Sequence, residues 1–95
     1  GIREYSRRMR DLEQQFAGVR DAKQMGTTGL VAWVCVSSGR HLWVRFRTAL
    51  RIVRERAGSV SGFIRACIAT APCEWRKERL NKYAKSLGVS IDTYQ

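Results

Sequence analysis

Ninety-five residues, 44 % of them apolar, are enough for one domain with a modest core. A formal charge of +10 and an isoelectric point near 10.6 exceed what solubility asks, and point to a polyanionic partner: nucleic acid, an anionic membrane surface or an acidic protein. The longest apolar run, Leu30–Val36, is too short to cross a bilayer and no signal peptide is visible, so an integral membrane protein is not expected.

In chain order, Ile2, Tyr5, Met9, Leu12, Phe16 and Val19 alternate spacings of 3 and 4, which predicts an amphipathic helix over Ile2–Gln24. It either packs on its own domain or pairs with a second copy, since the spacing is heptad-like while Tyr, Met and Phe are unusual seam residues. Its first turns carry Arg3, Arg7, Arg8 and Arg10 on the outer face. Gly1 is not followed by the serine or threonine that myristoylation requires, because Tyr5 stands at that place. The competing reading of the charge is a segment cut from a longer chain whose acidic part is missing; an opening on glycine in place of methionine fits an excised domain or a tag remnant. Gly26-Thr27-Thr28-Gly29 reads as a break. Leu30–Val36 (LVAWVCV) then reads as a buried helix in preference to a strand, because no second strand is available to pair with it.

Ser37-Ser38-Gly39 ends that run and can cap the next helix, Arg40–Ala57. There Trp43, Phe46, Leu50, Val53 and Ala57 form an apolar stripe, while Arg40, Arg47, Arg51 and Arg54 recur on the far side with Arg45 and Arg56 at its edges. A strand over Leu42–Arg47 with Arg45 and Arg47 outward, as in ribbon-helix-helix proteins, is the competing reading. The five-position helical stripe outweighs it. Gly58 should close the helix and Ser59 or Ser61 cap the next, whose Val60, Phe63, Ile64, Cys67 and Ile68 face the core or a subunit interface. Pro72 is placed as the first residue of a last helix with Glu74 in its first turn. That helix should turn Trp75, Leu80, Tyr83, Ala84 and Leu87 inward, carry Arg76, Lys77, Arg79, Lys82 and Lys85 outside, and stop at Gly88.

Two local patterns resemble known DNA-binding motifs. NKYAKSLGVSIDTY (81–94), with Ala84, then Gly88, then Val89-Ser90, resembles the centre of a helix-turn-helix, which implies close helix packing at Ala84 and a turn at Gly88. AGSVSGFIR (57–65) resembles the turn between the helices of a ribbon-helix-helix protein. Neither resemblance covers the whole chain.

Chemistry narrows the function classes. Cys35, Cys67 and Cys73 are odd in number without paired spacing, and His41 is the single histidine. No metal site, catalytic constellation, phosphate-cradling loop or cofactor is therefore expected. The cysteines read as buried reduced thiols of an intracellular protein, cytoplasmic or nuclear. The basic residues are 14 arginines against 4 lysines. The planar guanidinium fork matches phosphate oxygens bidentately, so the bias favours phosphate recognition.

The sequence thus predicts a single all-α domain over residues 1–95, of four or five amphipathic helices and dimeric, that binds nucleic acid. Its expected contacts are Arg3, Arg7, Arg10, Arg40, Arg45, Arg47, Arg51, Arg54, Arg76, Arg79, Lys82 and Lys85. Backbone recognition with little sequence preference is expected, with RNA slightly favoured over DNA. The alternative is a helical module for self-assembly or for docking an acidic protein, as in a viral or nucleoprotein shell. A matrix-like domain on an anionic membrane surface comes third.

Overall fold

The computed structural model describes residues 18–89, in which five helices and no strand are found. They are α1 (Val19–Lys23), α2 (Thr27–Cys35), α3 (Gly39–Glu55), α4 (Val60–Thr70) and α5 (Glu74–Ser86). The longest, α3, touches each of the other four, and the apolar helices α2 and α4 pack against each other behind it. The core gathers Leu30, Trp33 and Val34 of α2, Leu42, Phe46, Ala49, Leu50 and Val53 of α3, Phe63, Ile64 and Cys67 of α4, and Leu80 and Ala84 of α5. None of the helices among the described residues is long and apolar enough to cross a membrane.

The helical reading of Leu30–Val36 holds, and so does that of Leu42–Arg47, where a strand was the competitor. Four boundaries differ from expectation. Gly18 takes φ 91°, which no helix interior accepts, so the helix expected over Ile2–Gln24 is not continuous: α1 starts after Gly18. The part of that helix before Gly18, with Arg3, Arg7 and Arg10, lies outside the described residues. Val19, expected inward, is 47 % exposed. At the next boundary, Thr27, Thr28 and Gly29 belong to α2 instead of breaking the chain, with Gly26 alone as N-cap. Pro72 stands outside α5, whose N-cap is Cys73.

The fourth difference is at the end of α3. Ala57 has left the helix and lies exposed at φ 57°, donating its N–H to the Arg54 carbonyl (3.0 Å), while the Gly58 N–H reaches the Val53 carbonyl (2.9 Å). These are the paired bonds of a Schellman ending, in which the left-handed residue is ordinarily glycine. Here alanine holds that position and glycine comes one place later. A Cβ on Gly58 would lie 3.1 Å from Val53 Cγ1, so that glycine serves close approach. The end of α5 has the same pair of bonds with glycine in the left-handed place: Gly88 (φ 74°) donates to Lys85 and Val89 donates to Ala84. Gly88 thus ends a helix, and a helix-turn-helix recognition helix would fall beyond the described residues.

Of the two serine caps, Ser59 accepts the Gly62 N–H on its hydroxyl (3.0 Å). Ser38 sits at the N-cap of α3 without a side-chain capping bond, and buried Ser37 donates to the Val34 carbonyl instead (2.6 Å). Cys35 and Cys67 are buried as expected, but Cys73 is exposed.

Candidate nucleic-acid interface

At 3.6 residues per turn each residue advances about 100° around a helix, so Arg45 and Arg47 project about 200° apart on α3. The structure turns this into two flanks with different surroundings. One faces α1 and α2. There the Arg45 guanidinium donates through Nη1 to the Trp33 carbonyl (3.0 Å) and lies 5.1 Å from the Trp33 ring centroid. Three turns on, Arg56 donates through Nη1 to the Met25 carbonyl and through Nη2 to the Lys23 carbonyl, both at 2.6 Å. These carbonyls lie at and just past the end of α1, where helix geometry leaves acceptors without partners. Arg45 and Arg56 are therefore cross-braces. Arg45 was expected among the nucleic-acid contacts, and its guanidinium is instead committed to α2.

The other flank faces α5. Arg40, Arg47, Arg51 and Arg54 are exposed on it, and among the described residues none of the four has an ion-pair partner. From Arg40 to Arg54 the helix rises about 21 Å, equal to about six base-pair steps of a duplex. Arg47 is steadied by the Trp43 ring, 5.5 Å from its guanidinium carbon. Trp43 in turn meets the Tyr83 ring of α5 edge-on, with centroids 4.6 Å apart, and Phe46 lies 6.0 Å from Tyr83 beneath. Near the end of α3, Arg47, Arg51 and Arg54 surround a groove of about 240 Å³ with Leu50, Leu87 and Val89 as its apolar lining and Glu55 as its one carboxylate among the described residues.

On α5, Trp75, Arg79 and Tyr83 recur every four residues along the edge turned to α3. The Trp75 ring lies against Gly39, and Arg79 stands 5.2 Å from its centroid. Arg79 thus joins the α3 surface. Lys82 is exposed about 100° from Tyr83 at the border of that face, and Lys85, about 200° from Tyr83, points away from it. Arg76 is not an outward residue as expected. It is half-buried, and its Nη1 is enclosed with no hydrogen-bond partner among the described residues. Its charge is felt by the thiol pair below, where the Cys35 Sγ donates to the Cys67 carbonyl (3.4 Å): the side-chain interaction with Cys67 holds the Cys35 thiol below its ordinary range, burial opposes this, and Arg76 assists. The Cys67 thiol is pushed up by its interaction with Cys35 and by burial.

The structure therefore gathers Arg40, Arg47, Arg51, Arg54 and Arg79 on one face, with Lys82 at its margin. It removes Arg45, Arg76 and Lys85 from that face. The sequence does not reveal the bracing role of Arg56 or the aromatic component, since helix spacing predicts Trp75 inward and it is 44 % exposed. The phase of α3 already separates Arg45 and Arg56 from the other arginines. The exposure of Trp75 has no such signal, because α5 buries only a narrow face around Leu80 and Ala84. Among the described residues no three of His, Cys, Asp and Glu come close enough to hold a metal ion. Comparison with protein-family models, with curated proteins and with solved structures returns no match.

Proposed function

We propose that this domain binds nucleic acid through the α3/α5 face, gripping the phosphate backbone of a duplex with little sequence preference. The observation that carries the reading is the row Arg40, Arg47, Arg51 and Arg54, exposed and without ion-pair partners among the described residues, on a helix whose remaining arginine, Arg45, and whose C-cap, Arg56, are tied down. A solubilising surface needs no such segregation, whereas a polyanion rewards it. Duplex RNA is favoured over DNA, since nothing on the face supplies an ordered set of base-edge readers and RNA duplexes are recognised largely by shape and backbone. Pairing of two copies, suggested by the heptad-like Ile2–Val19 spacing, would lengthen the arginine surface.

Five arginine contacts give a log–log salt slope of about −4.5, or an affinity loss of about 10²–10³ between 50 and 200 mM salt. The test is fluorescence anisotropy against matched duplex RNA, duplex DNA and single-stranded RNA across a salt series, with Arg47/Arg51/Arg54→Gln alongside. Steeply salt-dependent binding to a duplex that the triple change abolishes supports the reading. Weak binding, alike for all ligands and indifferent to the change, ends it.

A second reading, self-assembly, is favoured by the opposite flank. A hollow whose apolar lining is Val19, Trp33 and Val44, edged by His41, Arg45 and Thr48, exposes Val44 at 58 %. If a second copy covers it, Val44→Glu lowers the mass measured by sedimentation.

A further inference from the structure

We infer that Trp75 is a stacking platform for an unpaired base beside the arginine surface, so that the preferred ligand is a duplex carrying a single-stranded extension. The inference rests on the nucleic-acid reading above and specifies its ligand.

Trp75 is the second residue of α5, on the edge that the narrow buried face around Leu80 and Ala84 leaves uncovered, and its indole stands 44 % exposed. Three features hold it in place. A Cβ on Gly39 would come within 2.9 Å of the ring carbon Cη2, so only glycine at the start of α3 lets the indole lie where it does. Arg79 and Arg76 bring their guanidinium carbons to 5.2 and 6.0 Å from the ring centroid. An indole steadied by guanidinium groups within a cationic face is the combination that single-strand binders use, because every base has a π-face and stacking tolerates any sequence.

The phosphate of a base stacked there has partners at hand. Ser38 does not cap α3 with its side chain, and its carbonyl takes the His41 and Leu42 amides (3.0 Å each), so within the first turn the Gly39 and Arg40 amides are the ones without a hydrogen-bond partner among the described residues. Arg40 follows directly and leads along the flank to Arg47, Arg51 and Arg54. A strand leaving a duplex on the arginine row would thus reach Trp75 at the end of α3 where both α3 and α5 begin.

The experiment compares a blunt RNA duplex with the same duplex bearing a short unpaired extension, by anisotropy at one salt concentration. The wild-type protein is expected to bind the extended duplex about tenfold more tightly. Trp75→Ala brings the ratio to about one, Trp75→Phe keeps most of it, and Gly39→Ala, whose methyl must push the ring aside, lowers it. Thermal unfolding of each variant verifies that it is folded. A wild-type ratio of one, or a ratio that Trp75→Ala leaves intact, overturns the inference while duplex binding still stands. Failure of both ligands to bind overturns the nucleic-acid reading along with it.

Discussion

The two flanks of α3 carry the same residue type to different ends. On the side of α1 and α2, Arg45 and Arg56 spend their guanidinium donors on backbone carbonyls of Trp33, Met25 and Lys23, holding three helices in register. On the side of α5, Arg40, Arg47, Arg51 and Arg54 stand exposed, without ion-pair partners among the described residues. An arginine count is therefore a poor measure of binding capacity. What matters is whether unsatisfied carbonyls lie within reach, since a carbonyl at a helix end captures a guanidinium as readily as a phosphate does. One flank is stability and the other is surface.

This contrast can be broken by substitution, and the largest effect belongs to the exposed flank. Arg47/Arg51/Arg54→Gln removes three of the proposed phosphate contacts and should weaken duplex binding at least about 100-fold at low salt, leaving the thermal midpoint within a few degrees. Anisotropy and calorimetry on the same preparation check both halves. Arg56→Ala should do the reverse. Losing two charge-assisted bonds at a partly solvated site costs about 1–2 kcal/mol, or a melting point lower by about 4–16 °C, with duplex affinity of the folded protein kept within twofold. Arg45→Ala removes the bond to the Trp33 carbonyl and the stack on Trp33, and should cost about 1–2 kcal/mol by urea denaturation, again with binding retained.

The smallest effect sharpens the comparison. Ala57 is held in the left-handed conformation directly after Arg56, at a cost that glycine does not bear. Offset by the extra freedom of glycine in the unfolded chain, Ala57→Gly should stabilise by about 0.5–1 kcal/mol without altering binding. Gly88→Ala, at the equivalent place after α5, should destabilise by a similar amount. A change of the same sign at both positions would contradict the shared Schellman geometry.

Much of this architecture is legible in the sequence, for a physical reason. Burial at 3.6-residue spacing is imposed by the core, so Phe46, Leu50 and Val53 reveal α3, and Phe63, Ile64 and Cys67 reveal α4. Helix ends are set by local hydrogen bonding and tertiary fit, which composition signals poorly. Hence Gly58 looks like the stop although Ala57 turns the chain, and Pro72 looks like a first helical residue although α5 begins at Glu74. The candidate site divides in the same way. The arginine row of α3 follows from helix phase alone. The capture of Arg45 and Arg56 depends on where the carbonyls of distant residues fall, and the exposure of Trp75 and Leu87 depends on how narrow a face α5 buries. Neither is encoded in local spacing.

The most direct test of the central claim, that the α5-facing flank of α3 is the polyanion surface and the opposite flank is not, is the salt dependence of duplex binding in single-residue variants. The wild-type slope of log affinity against log salt should be about −4.5, and Arg51→Gln should reduce its magnitude by about one while Arg56→Gln leaves it unchanged. Equal slopes for the wild type and Arg51→Gln, or a reduction confined to Arg56→Gln, would contradict that assignment.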